Sequence, residues 1–234
     1  MARTGLEDDS GDLVAGPEVA RAEALQRELA RRVEVPPGRV ADPRTVAGVD
    51  VSYVPGSPRV AAAAVMVELG DEGTDGVVVD EVVVEGEVAF PYRPGLLAFR
   101  EVPVLLEALG ALRRPPDLVL CDGQGLAHPA RCGLACHLGV VTGLATVGCA
   151  KSWYVGRGDE PGPRRGDRAP LRDGADLVGH VLRTQDGVRP VYVSPGHRIG
   201  FDQACDVVLA TCSRFRLPDP LRRADHISRQ ALKA

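Results

Sequence analysis

Lysine is nearly missing from this chain of 234 residues: of 28 basic residues only Lys151 and Lys233 are lysines, and arginine takes the other basic positions. Aromatic residues are sparse as well, at 4%, against 44% hydrophobic and 26% charged, which is the balance of an ordinary globular protein with an aliphatic core. No apolar run reaches the length of roughly 20 residues that a bilayer demands. The opening stretch MARTGLEDDSGD has no apolar segment of the secretory kind. A cytoplasmic protein with no membrane contact is the expectation, and in that compartment the six cysteines are expected to be reduced. A positive net charge is also missing, since 28 basic residues against 32 acidic ones give −4. The chain as a whole is no polycation, so any nucleic-acid contact must come from a local basic surface. Such a bias exists: nine Lys/Arg against five Asp from Arg183 onward, whereas the first fifty residues hold ten acids and seven bases.

The length suits one domain, spanning about residues 17–230 after a tail, 1–16, that is expected to be disordered. Pro17 opens a helix through PEVARAEALQRELARRVEV, with apolar residues at helical spacing. TVAGVDVSYV, RVAAAAVMVEL and GVVVDEVVVEGEV read as three consecutive strands, the last two joined by a GDEGTDG hairpin turn. VPVLLEALGALRR is helical, and Pro103 places its start or a kink just past Glu101. PDLVLCD is a buried strand, RCGLACHLG a helix of small residues and LATVGCAK a further strand. The Arg/Pro/Gly-rich stretch 156–174 reads as an exposed loop, ADLVGHVL and RPVYVS as strands, SPGHR as a turn and FDQACDVVLATCSRF as a helix. Three strands followed by alternating helices and strands indicate α/β with a mixed sheet flanked by helices.

Asp50 lies in the middle of the first strand among apolar residues, where a carboxylate is costly unless it is paired or holds a cation. Asp122 ends the fourth strand, at the edge where open α/β sheets place their ligands. Glu101 precedes the helix that leads into that strand. If the first and fourth strands are neighbours, the three carboxylates converge, and oxygen donors of this kind suit Mg²⁺ or Mn²⁺. Blander readings stand beside these: Asp122 as the start of a DGQG turn, Glu101 as a carboxylate favoured by a helix N-terminus. Lys151, at the end of a buried strand, is either a point charge for a phosphate or an edge lysine that snorkels. Gly123 and Gly125 let backbone approach a ligand, and His128 is either a phosphate or water contact or a turn residue. His128, Cys132, Cys136 and His137 form a weak zinc candidate, because all four come from one short segment. Tyr92 sits in FPYRPG between stiffening prolines, either packed in a loop or held out toward a partner.

VAGVDVSY, PYRPGLLAFRE, PDLVLCDGQGLAHPARCGLACHLGV, TVGCAKS, RPVYVSPGHR and RLPDPLRRAD, in that order, resemble the endonuclease V family of deoxyinosine-specific nucleases. The resemblance implies an RNase H-like fold and a monomer acting on inosine-containing nucleic acid, DNA first, with RNA as an alternative substrate. It implies Asp50, Glu101 and Asp122 as metal-binding catalytic acids for Mg²⁺ (Mn²⁺ substituting), with Lys151 close to the cleaved phosphate. Tyr92 would be a wedge between bases, and Leu97, Gly123, Gly125, His128, Gly133 and Leu134 would line the pocket for the flipped base. Cleavage would fall at the second phosphodiester bond 3′ of the lesion, leaving 3′-hydroxyl and 5′-phosphate. Asp225 aligns where members carry His or Asp, as an additional metal or water site. Gln124 and Cys121 depart from the pattern and are given no part in the chemistry. An RNase H-like module that grips nucleic acid without cutting it is the rival reading; retention of all three acids and Lys151 speaks against it.

Overall fold

The computed structural model describes residues 16–70 and 76–233. The tail expected to be disordered, apart from residue 16, and most of the GDEGTDG turn lie outside these residues. The chain runs α1 (Pro17–Arg31), β1 (Thr45–Tyr53), β2 (Arg59–Glu68), β3 (Val77–Glu87), α2 (Ala98–Gly110) and β4 (Leu118–Cys121). It continues α3 (Leu134–Thr142), β5 (Ala145–Ala150), β6 (Arg168–Asp173), β7 (Asp176–Leu182), β8 (Val191–His197), α4 (Phe201–Ala210) and α5 (Asp219–Ala231). The strands form one mixed sheet in the order β3-β2-β1-β4-β5-β8-β7-β6. β1 to β3 are an antiparallel meander, and β1, β4 and β5 run parallel. This is a single α/β domain with helices on both faces, the RNase H-like arrangement that the resemblance implied.

Alternation along β1 decides what lies on each face, because successive side chains point to opposite sides of a sheet. Ala47 and Val49 join Ala62, Ala64, Val102, Leu105 and Leu138 in one core, under α2 and α3. Val46 joins Leu118, Leu120, Val193, Val208 and Leu221 in the other, under α4 and α5. Gly48 shares the α5 side, and there a Cβ would lie 2.4 Å from the Pro220 carbonyl carbon. Only a residue without a side chain lets α5 approach so near.

Several expectations are corrected. α2 begins at Ala98, before Glu101, and carries Pro103 inside it. Amides of Phe99, Arg100 and Glu101 close the first turn onto Leu96 and Leu97, so the proline falls in a helix already formed. Residues 168–173 of the supposed loop form edge strand β6, since Ala169 and Leu171 alternate inward while Arg168 and Arg172 face solvent. SPGH is not a turn but the end of β8; Pro195, which has no amide hydrogen, sits at a register shift against β5. The helix written from Arg131 starts at Leu134, because Gly133 is its extended N-cap, and α4 stops at Ala210. The C-terminal segment, for which no element is expected from the sequence, forms α5 from Asp219, within LPDP.

Gly48→Ala is expected to push α5 away from β1 and cost about 1–3 kcal/mol or more, the usual cost of overpacking. A thermal melt checks this, with a fall in Tm of about 2–12 °C expected for a domain of this size. An unchanged Tm would mean that α5 does not pack against β1 as described.

Candidate active site

β1 and β4 are adjacent and parallel, paired from Val46–Leu118 to Val49–Cys121. One residue beyond that register stand Asp50 and Asp122, side by side at the carboxyl edge. β4 ends at Cys121, which frees Asp122 from the ladder. Lys151 follows the last residue of β5, and its Nζ lies 2.6 Å from Asp122 Oδ2. Glu101 arrives from the opposite face of the sheet, on α2. It is 7% exposed and accepts a 3.0 Å hydrogen bond from the Tyr53 hydroxyl.

α5 adds the residues that sequence reasoning assigned least firmly or missed. Ser228, fully buried, shares a 2.8 Å hydrogen bond with Ser52 and lies 3.4 Å from Asp50 Oδ2. Asp225, one turn earlier, is paired with Arg229 at 2.7 Å and is near enough to act on Asp50 and Lys151. The signal for Ser228 lay in helical spacing, since Leu221, Ala224 and Ile227 are buried on the same side of α5.

Four acids thus crowd one edge. Burial, then the charges of Asp122 and Asp225, push the Asp50 carboxyl up to about 6, with Lys151 and Ser228 working against them. Burial pushes Glu101 up to about 8; the Tyr53 hydroxyl opposes this, and Asp50 and Asp122 add to it. For Lys151, burial works downward, but the Asp122 bond and the charges of Asp50 and Asp225 prevail and raise its pKa. The edge is therefore short of positive charge. Its donors are all carboxylate oxygens, the hard ligands of a divalent cation. Among the described residues no three His, Cys, Asp or Glu already stand close enough to hold a metal ion. The set fits a cation that keeps several waters and takes few carboxylates, as Mg²⁺ does, better than an all-protein cage.

The zinc candidate does not assemble. Cys132 and Cys136 are buried with Leu29 and Val140 in an apolar cluster, and burial lifts the Cys132 thiol to about 12. His137 turns its ring edge to Phe99, centroids 4.9 Å apart, and His128 packs against Tyr154.

Beside the acids lies a cavity of about 420 Å³. Leu97, Gly123, His128, Gly133 and Leu134 line it, five of the six pocket residues named from the sequence. Gly125 does not line it; a Cβ there would meet the Pro195 carbonyl oxygen at 2.1 Å, so this glycine lets two backbone segments pass. Tyr92 stands at the cavity, 69% exposed, and so is not core filling. Its loop is anchored at Gly95, whose carbonyl takes a 2.8 Å hydrogen bond from Gln26. The sequence reading missed Gln26, Gln124, Ser152, Trp153 and Tyr154 on the cavity wall. Gln26 had a visible signal, a polar residue in register with buried Val19, Ala22 and Leu29 on α1.

Fold and acidic edge define the class: a nuclease domain built on an RNase H-like sheet. The endonuclease V family profile matches residues 27–226. Endonuclease V of Streptomyces avermitilis is 52% identical over 213 residues, 91% of each chain. Its crystal structure superimposes with a TM-score of 0.85 over 92% of each chain. The catalytic domain of human endonuclease V, 33% identical, gives 0.84 over 92% of this chain and 96% of that one. The chain belongs to the endonuclease V family. No helix among the described residues is long and apolar enough to cross a membrane.

Burial holds the imidazoles of His128 and His137 down, each to about 4. In the folded state they bind fewer protons than in the unfolded one, so their contribution to stability is full above about pH 6.5 and drains away as pH falls toward 4. Ring resonances in NMR are expected to stay those of neutral imidazole at pH 5. Midpoints near 6.5 would contradict the buried placement.

Proposed function

We propose that this protein is a repair endonuclease that recognises deoxyinosine and hydrolyses the second phosphodiester bond 3′ to it, leaving 3′-hydroxyl and 5′-phosphate. The observation that carries this reading is the neighbourhood of the base-sized cavity and the acidic edge, joined by the segment Asp122–Gly123–Gln124. A base turned out of its stack would enter the cavity, while the phosphates beyond it pass the carboxylates. In support, the endonuclease V of Ciona intestinalis has been crystallised with DNA containing an inosine.

Asp50 and Asp122, with Glu101 completing the set, would hold a Mg²⁺, which lowers the pKa of bound water and polarises the phosphate. Ser228 keeps Asp50 oriented, and the Tyr53 hydroxyl does so for Glu101. Lys151, paired with Asp122 in the free protein, has its ammonium at the same edge, where it offsets the charge that builds on the phosphate during cleavage. Asp225 stands by as a further ligand or water-orienting group. Tyr92 occupies the space left in the stack when the base departs. Its loop is stiffened by Pro91 and Pro94 and tied at Gly95, so ordering it on binding costs little.

An end-labelled DNA strand carrying one inosine tests the reading. Cutting between the first and second nucleotides 3′ of the inosine is expected with Mg²⁺, and cutting elsewhere or equally on an adenosine strand would refute it. Asp122→Asn is expected to lower the rate at least about a hundredfold. Tyr92→Ala is expected to weaken inosine-strand binding on the order of tenfold, the worth of one stacked base, with Tm unchanged. A large fall in Tm with unaltered inosine preference would return Tyr92 to a structural role.

A further inference from the structure

We propose that Gln124 reads the base, its Oε1 accepting the N1–H of a hypoxanthine ring seated in the cavity, an inference that rests on the function proposed above. Gln124 lies between two glycines in a loop with little freedom. The Gly125 amide donates to Ser194 Oγ at 2.8 Å, and the Gln124 carbonyl accepts the Ala135 amide at 3.1 Å. The side chain is on the cavity wall. Its Nε2 donates to the Ser152 carbonyl at 2.8 Å. A carbonyl only accepts, so that contact fixes which end of the amide is nitrogen and which is oxygen.

The oxygen end is left over: Gln124 Oε1 is buried and has no donor. An acceptor buried without a donor is unfavourable, and the structure tolerates it where a ligand supplies the missing hydrogen. Other polar groups on the wall are differently placed. Gln26 commits its amide nitrogen to the Gly95 and Cys132 carbonyls, and His128 Nδ1 accepts the Ala130 amide. What would suit the free acceptor is a ring N–H pointing at it. Hypoxanthine has one at N1, whereas adenine, its precursor by deamination, has a lone pair at N1 that would face Oε1 in repulsion. One side-chain atom can thereby favour the deaminated base over its parent.

The test is a cycle of two proteins and two strands, read as binding by fluorescence anisotropy without added divalent cation, so that cleavage plays no part. The proteins are wild type and Gln124→Met, which keeps length and loses the acceptor; Gln124→Leu serves as a second deletion, and Tm confirms folding. One strand carries 2′-deoxyinosine and the other 2′-deoxynebularine, a purine with neither N1–H nor the 6-oxygen. Contacts to the 6-oxygen are shared by both proteins and cancel. The inosine-over-nebularine preference of the wild type is expected to shrink by about tenfold or more in the variants. A preference kept within about twofold in folded variants would overturn the proposal, leaving Oε1 to water. A third strand, carrying 2′-deoxyadenosine, is bound by the wild type alone: equal binding of inosine and adenosine strands would overturn the parent reading, which keeps that failure distinguishable from failure of the Gln124 contact.

Discussion

The contact on which the rest of the architecture depends is the close approach of α5 to β1 at Gly48. It is a backbone-to-backbone approach, with no room even for a methyl group. That approach seals one face of the first strand and brings Ser228 and Asp225 to Asp50. Without it, the Asp50 side chain would face solvent from within β1. With it, Asp50 is desolvated and crowded by the charges of Asp122 and Asp225, and its pKa is pushed up to about 6.

A second constraint orders the other half of the site. The Gln26 amide is where α1, the Tyr92 loop at Gly95 and the segment at Cys132 meet. Gln26 reaches the Gly95 carbonyl from α1 and bonds Cys132 as well, so one buried amide ties three segments together. Aromatics are sparse in this chain, yet three exposed ones, Tyr92, Trp153 and Tyr154, line the cavity between these segments.

Much of this is legible in the sequence. The strand assignment for β1 follows from β-branched, partly alternating residues, with β2 and β3 as apolar runs after it, and a carboxylate at Asp50, flanked by apolar residues in a strand, marks a site on grounds of solvation alone. The adjacency of β1 and β4 is a condition of that reasoning, and the sheet order meets it. What stays hidden has physical causes. β6 lies among Arg, Pro and Gly, and only two inward residues, Ala169 and Leu171, mark it as a strand. α5 is rich in charge, so its apolar stripe is thin. The weight of Gln124 is invisible because a glutamine in a glycine loop reads as a solvated turn residue. Its importance comes from a tertiary contact, the Ser152 carbonyl, that leaves the oxygen buried and unsatisfied.

The proposed function requires one edge of this sheet to gather a cation and the adjoining cavity to take an inosine base. Anomalous scattering from a crystal grown with Mn²⁺ and an inosine-containing strand tests it most directly. A peak is expected at bonding distance, about 2.0–2.2 Å, from carboxylate oxygens of Asp50 and Asp122, with the base seated beside Gln124 and Tyr92 in the gap it left. A Mn²⁺ peak away from these carboxylates, or an inosine still stacked in its strand, would contradict it.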